Sequence, residues 1–172
     1  MSHILTISGS LRAASSNTAA LEALALLAPA GVTVTRYREL GALPAFNPDL
    51  EEGSGLPAPV ARLRTLIGQV DAIVISSPEY ARGMAGACKN MLDWLVGALE
   101  FPGKPVATIT TSQRAEYAPE QLKLVLTTMS ARVIEPACVT LPLLGKAVSA
   151  AEIAADAVFA AQLRAVIETL TP

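Results

Sequence analysis

Residues Ala72-Ile73-Val74-Ile75 form an unbroken apolar run, bounded by Asp71 on one side and Ser76-Ser77-Pro78 on the other. The run is too short for a buried helix. A strand with no polar face must be covered on both sides, and such strands belong to parallel sheets layered between helices. The rest of the chain has the same grammar. Apolar or alternating runs at 3–8, 32–37, 105–111 and 133–141 read as further strands. Stretches at 18–27, 58–69, 85–99, 120–129 and 150–170 read as helices. Val60, Leu63, Leu66 and Ile67 share one helical face, as do Ile153, Ala157, Ala160, Leu163, Ile167 and Leu170. The Pro-, Gly- and Asn-bearing segment 42–55 reads as a long loop.

Five strands alternating with five helices predict an α/β protein with a doubly wound parallel sheet. The order 2-1-3-4-5 places the fifth strand at an edge, where Pro136 can sit without donating to a ladder. One domain is expected over residues 1–172, a length sufficient for a substantial core. In such sheets ligands bind beyond the carboxyl ends of the strands, at the switch between strands one and three.

Composition narrows the function classes. Hydrophobic residues make up 52% and charged residues 16%, so the chain is built to pack. A net charge of -2 gives no basic face for nucleic acid. No apolar stretch approaches the roughly 20 residues of a membrane span. The N-terminus does not read as a secretory signal, so a cytoplasmic protein is expected. Cys88 and Cys138 fit no metal or redox spacing and are expected to be buried free thiols. His3, the one histidine, lies at the start of strand one, the wrong end for the crevice. That disfavours a Ser-His-Asp hydrolase.

The first loop reads Gly9-Ser10-Leu11-Arg12-Ala13-Ala14-Ser15-Ser16-Asn17. The start of a helix favours an anion through its free amides and dipole. Gly9 is expected to let the chain turn. Arg12 offers a forked donor pair, and Ser10, Ser15, Ser16 and Asn17 offer neutral groups. Capping alone accounts for one of these polar residues, not for the set. The loop has neither Gly-x-Gly-x-x-Gly nor Gly-Lys-Ser/Thr, which excludes the usual dinucleotide and ATP cradles. The second loop, Ser77 to Met84, follows the buried strand. Its Pro78, Glu79, Tyr80, Ala81, Arg82 and Gly83 can present backbone and an aromatic ring to a flat ligand.

These residues resemble a family. Gly9-Ser10-Leu11-Arg12-x-x-Ser15-x-Asn17, then Ser77-Pro78-Glu79-Tyr80, then Gly86-x-x-Lys89-Asn90-x-x-Asp93-Trp94-Leu95 is similar to the NADPH-dependent FMN reductases. The resemblance implies a flavodoxin-like fold and an oxidoreductase passing electrons from NADPH or NADH through FMN to a quinone, flavin, azo or metal-oxyanion acceptor. It implies that Ser10, Arg12, Ser15 and Asn17, with Ser16 beside them, hold the phosphate. Pro78, Glu79 and Tyr80, with Ala81, Arg82 and Gly83, would line the flavin ring. The chemistry would lie on flavin N5, with no catalytic side chain and no metal. The helix bearing Lys89 and Trp94 is similar to one at a subunit interface, implying a homodimer or homotetramer.

The chain departs from the family at three places. Ala85 replaces a common proline, Ala81-Arg82 replaces a common Asn-Gly, and segment 111–116 lacks a glycine-rich stretch. Ser112 remains the candidate there. Arg82 and Arg114 are charge-based candidates for the 2′-phosphate of NADPH. Lys89 and Asp93 are expected to form a helix-face ion pair, Trp94 to be core or interface, and Asn47, Pro48 and Asp49 to be turn residues. A flavodoxin-type carrier and a non-enzymatic FMN-binding protein are the rival readings. The charge of -2 and the Arg12 loop argue against the carrier.

Overall fold

Alternation along β1 (Ser2–Ser8) and β3 (Ala72–Ser76) sends successive side chains to opposite sides of one sheet. Leu5, Ile7, Ile73 and Ile75 join one apolar cluster, and Ile4, Ala72 and Val74 join another. The computed structural model describes residues 1–52, 55–143 and 148–171. The first cluster packs under α3 (Ala58–Gly68), α4 (Gly86–Leu95) and α5 (Tyr117–Thr128). The second packs under α1 (Ser16–Leu26), α6 (Ala150–Ala155) and α7 (Ala157–Leu170). Both faces of β3 are therefore covered, as its unbroken apolar run requires.

The sheet runs β2-β1-β3-β6-β7, all parallel, with β2 at Val32–Tyr37, β6 at Pro105–Thr110 and β7 at Arg132–Val133. This is the predicted order. β1 and β3 align Ser8 with Ser76, so the loops after them leave the sheet side by side. The expected fifth strand is broken in two. A 3-10 turn at Glu135–Ala137 separates β7 from β8 (Val139–Thr140), and both halves pair with β6. Pro136 lacks an amide for the ladder, and the chain turns where it sits.

Other boundaries also differ from the sequence reading. The last helix is two helices, because Asp156 leaves helical geometry and accepts from the amides of Val158 and Phe159 to cap α7. Ala157 is consequently exposed, while Ile153, Ala160, Leu163, Ile167 and Leu170 are buried. Within the expected long loop, α2 occupies Asp49–Glu52. Asn47 Oδ1 accepts from Asp49 N at 3.0 Å, a turn that leads into α2. Residues 53–54 of that loop lie outside the described residues. The loop is pinned by α4. Pro44 O accepts from Asn90 Nδ2 (2.9 Å) and Trp94 Nε1 (2.8 Å), while Phe46 N donates to Asn90 Oδ1 (2.7 Å). Trp94 is fully buried and meets Phe46 edge to face at 5.1 Å. Lys89 and Asp93 pair at 2.5 Å on the outer face of the same helix.

Candidate functional site

A cavity of about 380 Å³ opens at the carboxyl edge of the sheet, bounded by the loops after β1, β3 and β6. Its volume falls in the range of about 300–1,000 Å³ of small-molecule sites. Of the flavin-site residues expected from the sequence, Ser10, Arg12, Ser15, Ser16, Asn17, Pro78, Glu79, Tyr80 and Ser112 line it. Ala81, Arg82 and Gly83 lie outside its lining, on a hairpin of β4 (Glu79–Tyr80) and β5 (Gly83–Met84). Thr110, Thr111, Arg114 and Ala115 complete the wall formed by the loop after β6.

A buried polar network fixes the three loops relative to one another. The Ser76 hydroxyl is shared between Asn17 Oδ1 (2.8 Å) and Ile109 O (2.6 Å). Thr111 Oγ1 lies 3.3 Å from Asn17 Oδ1 and 3.0 Å from Ser16 Oγ. Asn17 is thus a cross-link between α1, β3 and β6, with its carbonyl oxygen already engaged. Ser8 Oγ accepts from Thr18 Oγ1 (2.9 Å) and Ser10 N (3.3 Å), tying the first loop to its own strand.

Ser15 caps α1 by accepting from Thr18 N. The amides of Ser16 and Asn17 have no intrahelical acceptor, and the first turn carries no acidic side chain. Arg12 N donates to Ser10 Oγ (3.3 Å), and across the cavity Arg114 N donates to Ser112 Oγ (3.1 Å). Two Ser-x-Arg turns therefore stand on opposite walls, a similarity the sequence shows as Ser10-Leu11-Arg12 and Ser112-Gln113-Arg114. Neither arginine makes an ion pair among the described residues. Loop 111–116, although without glycines, reaches the cavity.

Gly9 has a role other than the expected turn. A Cβ there would stand 2.8 Å from Ser77 Oγ and 3.0 Å from Cys88 Cβ, so only glycine lets β1's loop lie this close to β3's. Ser77 Oγ in turn accepts from Ala85 N at 3.2 Å. Cys88 is fully buried beneath, and desolvation pushes its thiol up to about 11, against the pull of the Ser77 hydrogen bond. Cys138, expected to be buried, is only half-buried, with Sγ 3.6 Å from Ile134 O.

The second loop is a hairpin in which β4 and β5 pair antiparallel. Ala81 (φ 49°) and Arg82 (φ 59°) both take left-handed backbone, the geometry of a two-residue hairpin turn that favours Asn-Gly. Arg82 lies 5.1 Å over the Tyr117 ring. Glu79 Oε2 accepts from Tyr117 N (2.8 Å) and Ala118 N (2.9 Å), capping α5 from outside. This cap explains why α5 begins at Tyr117 and not at Glu120. Its partners are 38 and 39 residues apart in sequence, beyond the reach of local pattern reading.

Comparison with known proteins agrees with this geometry. Residues 2–144 match the family model described as NADPH-dependent FMN reductase. A quinone reductase of Escherichia coli (strain K12) is 34% identical over 134 residues, 73% of this chain and 71% of that protein. An NAD(P)H-dependent FMN reductase of Pseudomonas aeruginosa is 38% identical over 122 residues, 66% of this chain and 65% of that one. Among solved structures, a flavoenzyme NAD(P)H:(acceptor) oxidoreductase from Paracoccus denitrificans superposes with a TM-score of 0.77 at 25% identity. The match covers 99% of this chain and 96% of that one. With the family match spanning most of the sequence and the sheet order in accord with it, the chain belongs to the NADPH-dependent FMN reductase family and is an oxidoreductase.

Proposed function

We propose that this chain binds FMN in the three-loop cavity and reduces quinones with electrons from a nicotinamide. The carrying observation is the donor set on the first loop. First-turn amides of α1 without an intrahelical acceptor, a cap that leaves them free, and Arg12, which has no ion pair among the described residues, together suit a phosphate monoester. The donor chemistry fits the cofactor of the family. Ser10, Arg12, Ser15 and the amides of Ser16 and Asn17 would hold the phosphate. Pro78, Tyr80 and the loop from Thr110 to Ala115 would bound the ring. Bound FMN would supply the redox chemistry, taking two electrons from a reduced nicotinamide and passing them to an acceptor.

The chain's own residues bind and orient. Glu79 spends its charge on the α5 amides, which keeps the loop after β3 in place and limits repulsion of an anionic ligand. Tyr80 is 54% exposed at the mouth, where it can flank a planar acceptor. No side chain is assigned as an acid or base. Quinones are favoured as acceptors because the similar proteins named above include a quinone reductase. A 2-hydroxy-1,4-benzoquinone reductase of a Burkholderia species is also 37% identical over 112 residues. Val96 and Leu99, 66% and 92% exposed after α4, are apolar surface that a second copy would cover in the expected homo-oligomer. Among the described residues no helix is long and apolar enough to cross a membrane.

The test is spectroscopic. The purified protein should take up FMN at micromolar concentration, be bleached by NADPH without oxygen, and recolour on addition of a benzoquinone. Parallel double-reciprocal lines should follow from alternating occupation of one open site. Absence of FMN uptake would overturn the reading. Bleaching only through a partner reductase would support the carrier instead.

A further inference from the structure

We propose that a trough leading from the cavity to the sheet edge at β2 binds the adenosine 2′-phosphate end of NADPH, with Arg38 its principal selecting residue. This rests on the FMN reductase reading. The observation is a row of three adjoining cavities that share lining residues. The main cavity shares Ser10 and Arg12 with a second of about 220 Å³ behind the first loop. The second shares Arg36, Tyr37 and Arg38 with a third of about 600 Å³ that lies against α3. Neighbouring strands lie about 4.8 Å apart, so the path from β6's loop past β1 to β2 spans roughly 14 Å. That is the scale of an extended dinucleotide.

The chemistry along the path changes in one direction. It begins at the flavin cavity, passes Arg12, and ends among Arg36, Arg38 and Arg62. Arg36 pairs with Glu22 and Arg62 with Glu39, the latter at 3.1 and 2.6 Å. Arg12 and Arg38 have no carboxylate partner among the described residues, and both are exposed. Net charge is -2, so a path walled by arginines is not a sample of average surface. The end of the trough is not purely cationic. Ala61, Leu66 and Tyr37 give it apolar wall for a base, and Thr65 and Gln69 give neutral polar groups. Glu39, held by Arg62, is an acceptor for a ribose hydroxyl or a ring amino group.

A second observation stands apart from charge. Tyr37 lines both outer cavities, and its hydroxyl is buried without a hydrogen-bond partner among the described residues. Such an orphan donor is a standing cost in a folded protein. An acceptor brought to it by a ligand, on a small shift of the side chains that cover it, would remove that cost. Arg82 offers no such site, because it lies over Tyr117 on the far side of the main cavity. Arg114 stays the rival exit.

The probe is 2′,5′-ADP, titrated by calorimetry into the flavin-free and FMN-loaded protein, with 5′-AMP as the comparison. The 2′-phosphate compound should bind the FMN-loaded protein at least tenfold tighter than 5′-AMP, the scale of one charged hydrogen bond. Arg38→Ala should erase that difference and lower the NADPH:NADH ratio of kcat/KM about tenfold through KM. Arg164→Ala, which removes a cation from the opposite face, should change neither. Equal binding of the two nucleotides, displacement of 2′,5′-ADP by FMN, or loss of discrimination in Arg114→Ala but not Arg38→Ala would each overturn the trough. FMN uptake in the same preparation reads the parent proposal separately. A chain that takes up FMN but does not discriminate sinks the trough alone.

Discussion

Arg12, Gly9 and Tyr37 each make a distinct physical demand, and each gives a measurement. If Arg12 holds a phosphate, Arg12→Ala should weaken FMN binding by about 1.5–3 kcal/mol with little change in thermal stability of the free protein. Flavin fluorescence quenching checks this, and unchanged affinity would remove Arg12 from the site. Gly9→Ala must displace either Ser77 or the loop, since its Cβ would sit 2.8 Å from Ser77 Oγ. A loss of about 1–3 kcal/mol in denaturant unfolding is expected, together with weaker flavin uptake. Tyr37→Phe removes a buried hydroxyl with no partner among the described residues. It should leave the flavin-free protein as stable or more stable by up to about 1 kcal/mol. Titration gives a further outcome. Burial pushes the Cys88 thiol up to about 11 and Tyr37 up to about 12, above their ordinary values near 9 and 10. Both groups therefore keep protons in the folded state that the unfolded chain has released. Stability from these two groups is full below about pH 9 and falls as pH rises through 11 and 12. Urea midpoints measured from pH 8 to 11 should decline, and a rising midpoint would contradict the assignment.

At the scale of elements, the hairpin after β3 is where local sequence preference and structure disagree. Ala81 and Arg82 take left-handed backbone that non-glycine residues adopt at a cost, on the order of 1 kcal/mol each. Ala81→Asn should raise the melting temperature by about 2–4 °C, the shift of about 1 kcal/mol in a chain of this size. Arg82 is a poorer target because its guanidinium rests on Tyr117. Glu79→Ala should fray the first turn of α5, costing about 1 kcal/mol, and should loosen the loop that bounds the ring site. These features show where sequence reading succeeds. Ile73 to Ile75 and the stripe Leu163, Ile167 and Leu170 are legible because periodicity is local. The break at Asp156, the split around Pro136 and the early start of α5 leave no local pattern in the sequence. Each depends on a side chain competing with a regular backbone, or on a partner far away in sequence. The first loop's residues were legible as a set, but the engagement of Asn17 with Ser76 and Thr111 was not. Nothing in a linear motif tells a ligand donor from a cross-link.

At the scale of the molecule, strand order puts chemistry at one place. Ser8 and Ser76 end adjacent strands in register, so loops 68 residues apart in origin meet at one rim. β6 adds the third loop, where the sequence offers Ser112 for the flavin and Arg114 for a 2′-phosphate. Structure adds Thr110, Thr111 and Ala115, and reveals a Ser-x-Arg turn repeated on opposite walls. The central claim is that this rim is a flavin site that works with a nicotinamide. The direct measurement is an anaerobic titration of the FMN-reconstituted protein with NADPH, followed near 450 nm. The account predicts stoichiometric bleaching of bound flavin and full return of colour on adding one equivalent of a benzoquinone. A protein that holds no FMN, or holds FMN that NADPH does not bleach, would contradict it.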